Sequence, residues 1–426
     1  MTGSNALPPQ TLAQKLIARA SGRSSVAPGE IVTCKVDLAM FHDSSGPRRL
    51  KPLLEELGAE IWDKSRVVLV MDHYVPERDD ESRRIVRLAR DWAREQELPH
   101  VYDSQGICHI VIAQHGHIRP GMLCIGGDSH SPTGGAFGAY MFGVGSTEML
   151  SAVVTGEIWL RVPDTLQMWW DGNLTKGVSA KDMMLHTIGL FGMNGGRYQA
   201  VEYCGPAVTA LAMQGRMTLS NMSAELGAQA GLVAPDATTA AYLAEAGVTN
   251  IDTAPWFTDD GAEFTRHRFD AATLEPQVAA PHSPANVHGV SHFHGQPIDV
   301  AYVGACTGAK IDDLRAAAAV LSGRRVAAGV RLMVAPASLR DQAQARAEGV
   351  LQILLDAGAE LFPTACGACS GYGDSVGDNS TVISTTARNF KGRMGSATAQ
   401  VYLASPYTVA ASALQGRVSD PREVLA

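Results

Sequence analysis

The sequence predicts an α/β protein of layered parallel sheets covered by helices, and three observations carry that expectation. Strand-like apolar runs alternate with helix-like stretches from about residue 31 onward. At 426 residues the chain is too long for one ordinary domain and suits two to four. Its 43 Gly and 21 Pro provide many tight turns, which suits an α/β protein with backbone close to ligands.

Taken in order, Leu12, Leu16 and Ile17 mark a short helix over residues 11–20. Residues 66–71 form an apolar run suited to a buried strand, which leads into Asp72-His73-Tyr74; the charged stretch 78–96 reads as helix. Residues 109–113 and 122–125 are strand-like. A second unit begins around Pro163-Asp164, with a helix over 176–190, a Gly-rich turn at 192–196 and a long helical segment from Ser223. Residues 271–297, rich in Pro, Ala and His, read as an extended linker. A third α/β unit places strands at 298–303 and 331–335 and helices at 311–321 and 339–357. The expected domains are therefore 1–163, 164–285 and 286–426.

Composition narrows the function. Apolar residues make up 46% and charged residues 18%, a globular balance with material for large cores. A formal net charge of −8 argues against a nucleic-acid-binding face. The chain holds no run of 18 apolar residues, so no membrane span is expected, and residues 1–28 lack the order of a signal peptide. Seven cysteines without a secretory signal read as reduced cytoplasmic thiols, any close pair marking a metal or redox site.

The sharpest chemical signal is Cys366-Gly-Ala-Cys369, with Cys306 sixty residues upstream in Gly304-Ala-Cys-Thr-Gly308. Both segments follow strand–helix alternation and so fall on loops at strand ends, where α/β ligand sites collect. Three thiolates in such loops can hold a cubane cluster with one iron left open. A redox disulfide or a structural zinc are the other readings of the pair. A second signal gathers His42-Asp43, Asp72-His73, His109 and Gly126-Gly-Asp-Ser-His130, histidines beside carboxylates as proton transfer requires. A third is Arg388-Asn-Phe-Lys-Gly-Arg393, two guanidinium forks suited to carboxylates. Cys34, Cys108, Cys124 and Cys204 sit in apolar runs and read as core thiols, while His115, His117, His282, His288, His292 and His294 read as solvated or structural.

The set resembles the aconitase superfamily, and within it the isopropylmalate dehydratase large-subunit family, from about Thr11 to Arg417. Gly-Asp-Ser-His130 followed by Gly134-Gly-Ala-Phe-Gly138, the Asn221-Met-Ser-Ala-Glu225 segment, the three cysteines and Arg-Asn-Phe-x-Gly-Arg393 stand in the family's order. The resemblance implies three-layer α/β/α domains around a central iron–sulfur cleft, with a [4Fe–4S] cluster on Cys306, Cys366 and Cys369. It implies that Asp72 and His73 form the acid that protonates a leaving hydroxyl. His109 with Asp128, and His130 with Glu225, are further catalytic pairs. His42, Ser129 and Asn221 line the substrate, and Arg388 and Arg393 grip its carboxylates. The reaction implied is dehydration and rehydration of a 2-hydroxy dicarboxylate, foremost 3-isopropylmalate in leucine biosynthesis; 2,3-dimethylmalate, citraconate or maleate, and homoaconitate are alternatives. The family's serine base lies on a swivelling domain absent here, so a separate small subunit is expected, in a heterodimer or heterotetramer. A rival of another class is an RNA-binding regulator formed on cluster loss, against which the acidic balance weighs.

Several positions depart from the pattern. Ala305 stands for a Ser, Gly308-Ala309-Lys310 for Asn-Gly-Arg, and Ala387 for an Asn. Lost amides at Gly308 and Ala387 would leave space beside the cluster, and with it a substrate shifted in shape.

Overall fold

The computed structural model describes residues 7–373 and 376–425; residues 1–6 and 426, at the outer ends of the first and third expected domains, and residues 374 and 375 lie outside the described residues.

The first sheet is parallel, in the order His100–Asp103, Val67–Met71, Leu38–His42, Leu123–Gly126, Tyr140–Gly143. Its central strands are continuous apolar runs because both faces are covered. Met40, Val68 and Val70 enter one core, while Ala39, Phe41, Leu69 and Met71 enter another. Strand order reverses beside Leu38–His42, so the loops after His42, Met71 and Gly126 open on one crevice.

The second sheet, also parallel, runs Ala230–Leu232, Ala200–Cys204, Thr165–Asp171, Thr265–Asp270. The third has seven strands, in the order Val287–Gly289, Gln277–Ala279, Gln400–Ala404, Thr381–Ser384, Val300–Val303, Arg331–Val334, Ala359–Leu361. The last five are parallel and the first two join antiparallel. One face of this sheet (Ala301, Val303, Val334) shares a core with the first sheet, and the other (Val300, Tyr302, Met333) shares one with the second. The third sheet is thus the middle of the molecule. Gly106 marks how closely the first and third sheets' loops approach: its φ is +134°, and a Cβ there would lie 2.5 Å from the Ser338 Cα.

Four elements differ from the sequence reading. Residues 109–113 are not a strand but part of the helix Cys108–Gln114. A short apolar run rich in Ile and Val carries no periodicity that separates the two. The segment from Ser223 is no long helix: one turn, Ser223–Leu226, ends at Gly227 in the left-handed region, and Ala237–Glu245 follows a strand. The 339–357 helix is two, Leu339–Ala347 and Val350–Asp356, broken at Gly349 with φ +74°. The 271–297 stretch is no bare linker, since Gln277–Ala279 and Val287–Gly289 pair in it and Gln277–Ala279 joins them to the third sheet, leaving Val287–Gly289 at its edge.

Candidate active site

Each sheet sends a loop or short helix into one cleft. From the first sheet, the loop after Met71 carries Asp72 and His73. His73 Nδ1 lies 2.7 Å from Asp72 Oδ1, whose other oxygen accepts the Cys108 N–H at 2.7 Å. Asp43 accepts the His73 and Tyr74 amides at 3.1 and 2.7 Å, which fixes the turn. Burial alone would lower His73, but the Asp72 charge, its hydrogen bond and then Asp43 and Asp128 outweigh burial and raise the pKa to about 10. His73 is therefore an imidazolium at neutral pH. His42 stacks on it, ring centroids 3.9 Å apart. Burial, then the charge of His73, pulls His42 down to about 3. Its Nδ1 accepts the Ser44 and Ser45 amides at 3.2 and 3.4 Å, so the neutral ring carries its proton on Nε2.

The loop after Gly126 and the helix Cys108–Gln114 supply the second group. His109 Nε2 lies 2.8 Å from Asp128 Oδ1, which also accepts the His130 amide at 2.8 Å. His130 Nε2 lies 2.9 Å from Glu225 Oε1, on the one-turn helix of the second unit. Burial opposes ionisation of that pair, yet their mutual charge prevails: His130 rises to about 9 and Glu225 falls to about 2. Arg388 closes the cluster through Nε to Glu225 Oε1 at 2.6 Å. Ser129 is exposed and lines the outer cleft with Asp128 and Arg388.

The cysteines come from the third sheet. Cys306 follows Val300–Val303 in a turn where Ala305 adopts φ +67°, a strained value for a side chain with a Cβ. Asn221 Nδ2 donates to the Cys306 sulfur at 3.2 Å. The Cys366 amide donates to the Asp72 carbonyl at 2.9 Å, tying the cysteine pair to the His73 loop. Burial pushes Cys306 up to about 12, whereas the Cys366 thiol, and after it Arg393, hold Cys369 down at about 5 against burial. Arg393 thus meets the Cys369 sulfur, and Arg388 meets Glu225, rather than open solvent.

The expected space beside Cys306 is filled. A Cβ at Gly308 would lie 2.1 Å from the Thr385 Cβ, and Ala387 is buried in the core beneath the second and third sheets. Two buried lysines that sequence reasoning did not single out for the site brace the same loop. Lys310 Nζ donates to the Cys306 carbonyl at 3.0 Å and pairs with Asp313 at 2.7 Å. Lys181 reaches the loop from the second unit. A lysine inside a Ser179-x-x-Asp182 helix start reads as solvated surface, and only tertiary placement turns it inward. The other histidines stay outside: His117 bonds Tyr102 at 2.6 Å, and His288 stacks on His292 in solvent. Cys34, Cys108 and Cys124 are buried and Cys204 half-buried. Among the described residues no helix is long and apolar enough to cross a membrane.

Comparison with known proteins agrees on one family. The profile of the aconitase family (aconitate hydratase) matches residues 14–416. The 3-isopropylmalate dehydratase large subunit 1 of Methanopyrus kandleri is 41% identical over 420 residues, 98% of this chain and 100% of that protein. The 3-isopropylmalate dehydratase large subunit of Desulfatibacillum aliphaticivorans is 40% identical over 420 residues, covering 97% and 99%. That of Heliobacterium modesticaldum is 40% identical over 418 residues, covering 97% and 99%.

Proposed function

The chain belongs to the aconitase family and is a carbon–oxygen hydro-lyase, and from that premise we propose that it is the large subunit of a 3-isopropylmalate dehydratase working with a [4Fe–4S] cluster on Cys306, Cys366 and Cys369. The observation that carries this reading is the hydrogen-bonded frame joining acid to thiols. His73, held protonated, shares its loop with the Asp72 carbonyl that fixes Cys366.

The donor set fits a cluster better than a single ion. Three buried or half-buried thiols converge from the Cys306 loop and the Cys366–Cys369 turn, the donor set of a cubane with one iron left open, whereas a closed structural zinc takes four protein ligands. Around them His42, His109, Asn221, Glu225 and Arg393 each keep a buried polar atom without a partner, as residues that await a polar ligand do. When bound, such a cluster supplies an open Lewis-acidic iron that polarises a hydroxyl and a carboxylate.

The residues divide the remaining work along the three proposed domains, 1–163, 164–285 and 286–426. His73 Nε2 delivers the proton that lets hydroxide leave as water, with Asp72 holding the ring and stabilising its charge. The His42 Nε2–H donates to substrate, and Ser129 meets it at the cleft mouth. Asn221 lines the wall beside Cys306. Arg388 and Arg393 swing toward substrate carboxylates. Among the described residues no carboxylate of the site is left free of a partner to take the carbon-bound proton. Asp72, Asp128 and Glu225 are each committed to a histidine, and Asp43 to two amides. We assign that base to the small subunit that the large-subunit relatives imply, and the outer cleft suits one: it runs from Asp128 and Arg388 past Val144 to Tyr198 and Trp159, which are 64% and 68% exposed. The acidic balance of the chain weighs against an RNA-binding role.

The test is anaerobic reconstitution with iron and sulfide, followed by assay of 3-isopropylmalate and other malate derivatives with and without a swivel-type small subunit. Turnover of 3-isopropylmalate that depends on the subunit is expected. High turnover by the single chain, or a clear preference for another derivative, would refute the partner or the substrate respectively.

A further inference from the structure

Lys181 is the second residue of the helix Ala180–Phe191 and is 1% exposed. The helix start is held firmly: Asp182 accepts the Ser179 amide at 2.8 Å and the Gln277 amide at 2.9 Å. From this anchored turn the ammonium reaches into the third unit and spends three N–H groups on three oxygens. It donates to Thr307 Oγ1 at 3.2 Å, to the Thr386 carbonyl at 2.7 Å, and to the Thr385 carbonyl. Thr307 follows Cys306 directly, and its hydroxyl also donates to the Thr385 carbonyl at 2.8 Å. Thr386 leads to Arg388, whose carbonyl accepts the Thr386 hydroxyl at 3.2 Å. One ammonium therefore ties the loop of the first cysteine to the loop of the first arginine.

All three partners are neutral oxygens. The acid that acts on Lys181 most strongly, Asp313, is already engaged by Lys310 at 2.7 Å. A buried ammonium without its own carboxylate is costly unless negative charge stands nearby. A cubane held by three thiolates carries net negative charge, one residue from the Thr307 hydroxyl.

We propose that Lys181 is a positioning residue that holds the Cys306 and Arg388 loops in register and whose buried charge offsets that of the thiolate-bound cluster. The inference rests on the cluster reading above. Group and lysine then stabilise each other: the cluster lowers the cost of the buried ammonium, and the ammonium retards loss of the cluster.

The experiment compares wild-type, Lys181→Met, Lys181→Arg and Thr307→Val chains loaded anaerobically with iron and sulfide. It reads iron and sulfide per chain, the decay of cluster absorbance in air, and the cluster's reduction potential. Lys181→Met keeps length and removes charge; it should lose the cluster at least about ten-fold faster than wild type and show a more negative potential. Lys181→Arg should restore the potential toward wild type. Thr307→Val removes one acceptor and leaves the charge; it should shorten cluster lifetime with little change in potential, and it keeps the proposal testable should the Met variant not fold. Wild-type lifetime and potential in Lys181→Met, or in Thr307→Val a wild-type lifetime, would overturn the proposal. Should the wild-type chain itself take up no iron and sulfide, the reading of the three cysteines fails and takes this one with it.

Discussion

His73 shows how one side chain becomes an acid at neutral pH: a carboxylate at 2.7 Å outweighs burial and keeps the ring charged. His73→Ala should lower kcat about 10²–10⁴-fold with cluster absorbance intact, and a two-fold loss would move the role to His109 or His130. The same charges make a stability prediction. The folded pKa values of about 10 for His73 and about 9 for His130 exceed the ordinary 6.5. The stability they contribute is therefore whole below about pH 6.5 and is lost as pH rises through about 9 and 10. Thermal unfolding of the metal-free chain should show a melting point that falls across that window, and less steeply in a His73→Ala, His130→Ala double variant. These histidines were legible in the sequence because each stands near an acid or in a Gly-rich loop. Lys181 was not, since nothing local distinguishes a lysine that turns inward from one in solvent.

At the level of the element, the turn after Val300–Val303 decides a question that residue identity alone left open. Amides missing at Gly308 and Ala387 suggested an enlarged pocket, but Thr385 occupies the first position and core packing the second. Gly308→Asn should therefore misfold the turn, and Ala387→Asn should cost about 1–3 kcal/mol by burying an unpaired amide. Neither should create a new ranking among malate derivatives. A stable Ala387→Asn enzyme with altered preference would restore the idea of a shifted pocket. Elements long and strongly patterned were read well, such as the helix Asp80–Glu95, begun by an Asp79–Ser82 capping box, and Ile311–Leu321. The failures were short or two-sided. Residues 110–113 are apolar throughout, and the strands Gln277–Ala279 and Val287–Gly289 have three residues each, too few to show alternation.

Across the whole molecule, the site's parts come from three sheets, and the third sheet shares a core with each of the other two. A ligand that binds only the folded form adds stability by mass action. Loading the cluster should raise the melting point of the chain, and chelation or air oxidation should lower it toward that of a Cys306→Ser variant; a melting point indifferent to loading would mean that the thiols hold nothing structural. The order of parts along the chain has a further consequence, for synthesis. His73 is made before Glu225, and Glu225 before Cys369 and Arg393. A chain still on the ribosome with 370 residues made has yet to produce Thr381–Ser384, which pairs with the strand leading to Cys306, and Gln400–Ala404 on its far side. Metal delivery must therefore wait until these parts are made and folded, and until then the Cys306 thiol depends on the reducing power of its surroundings.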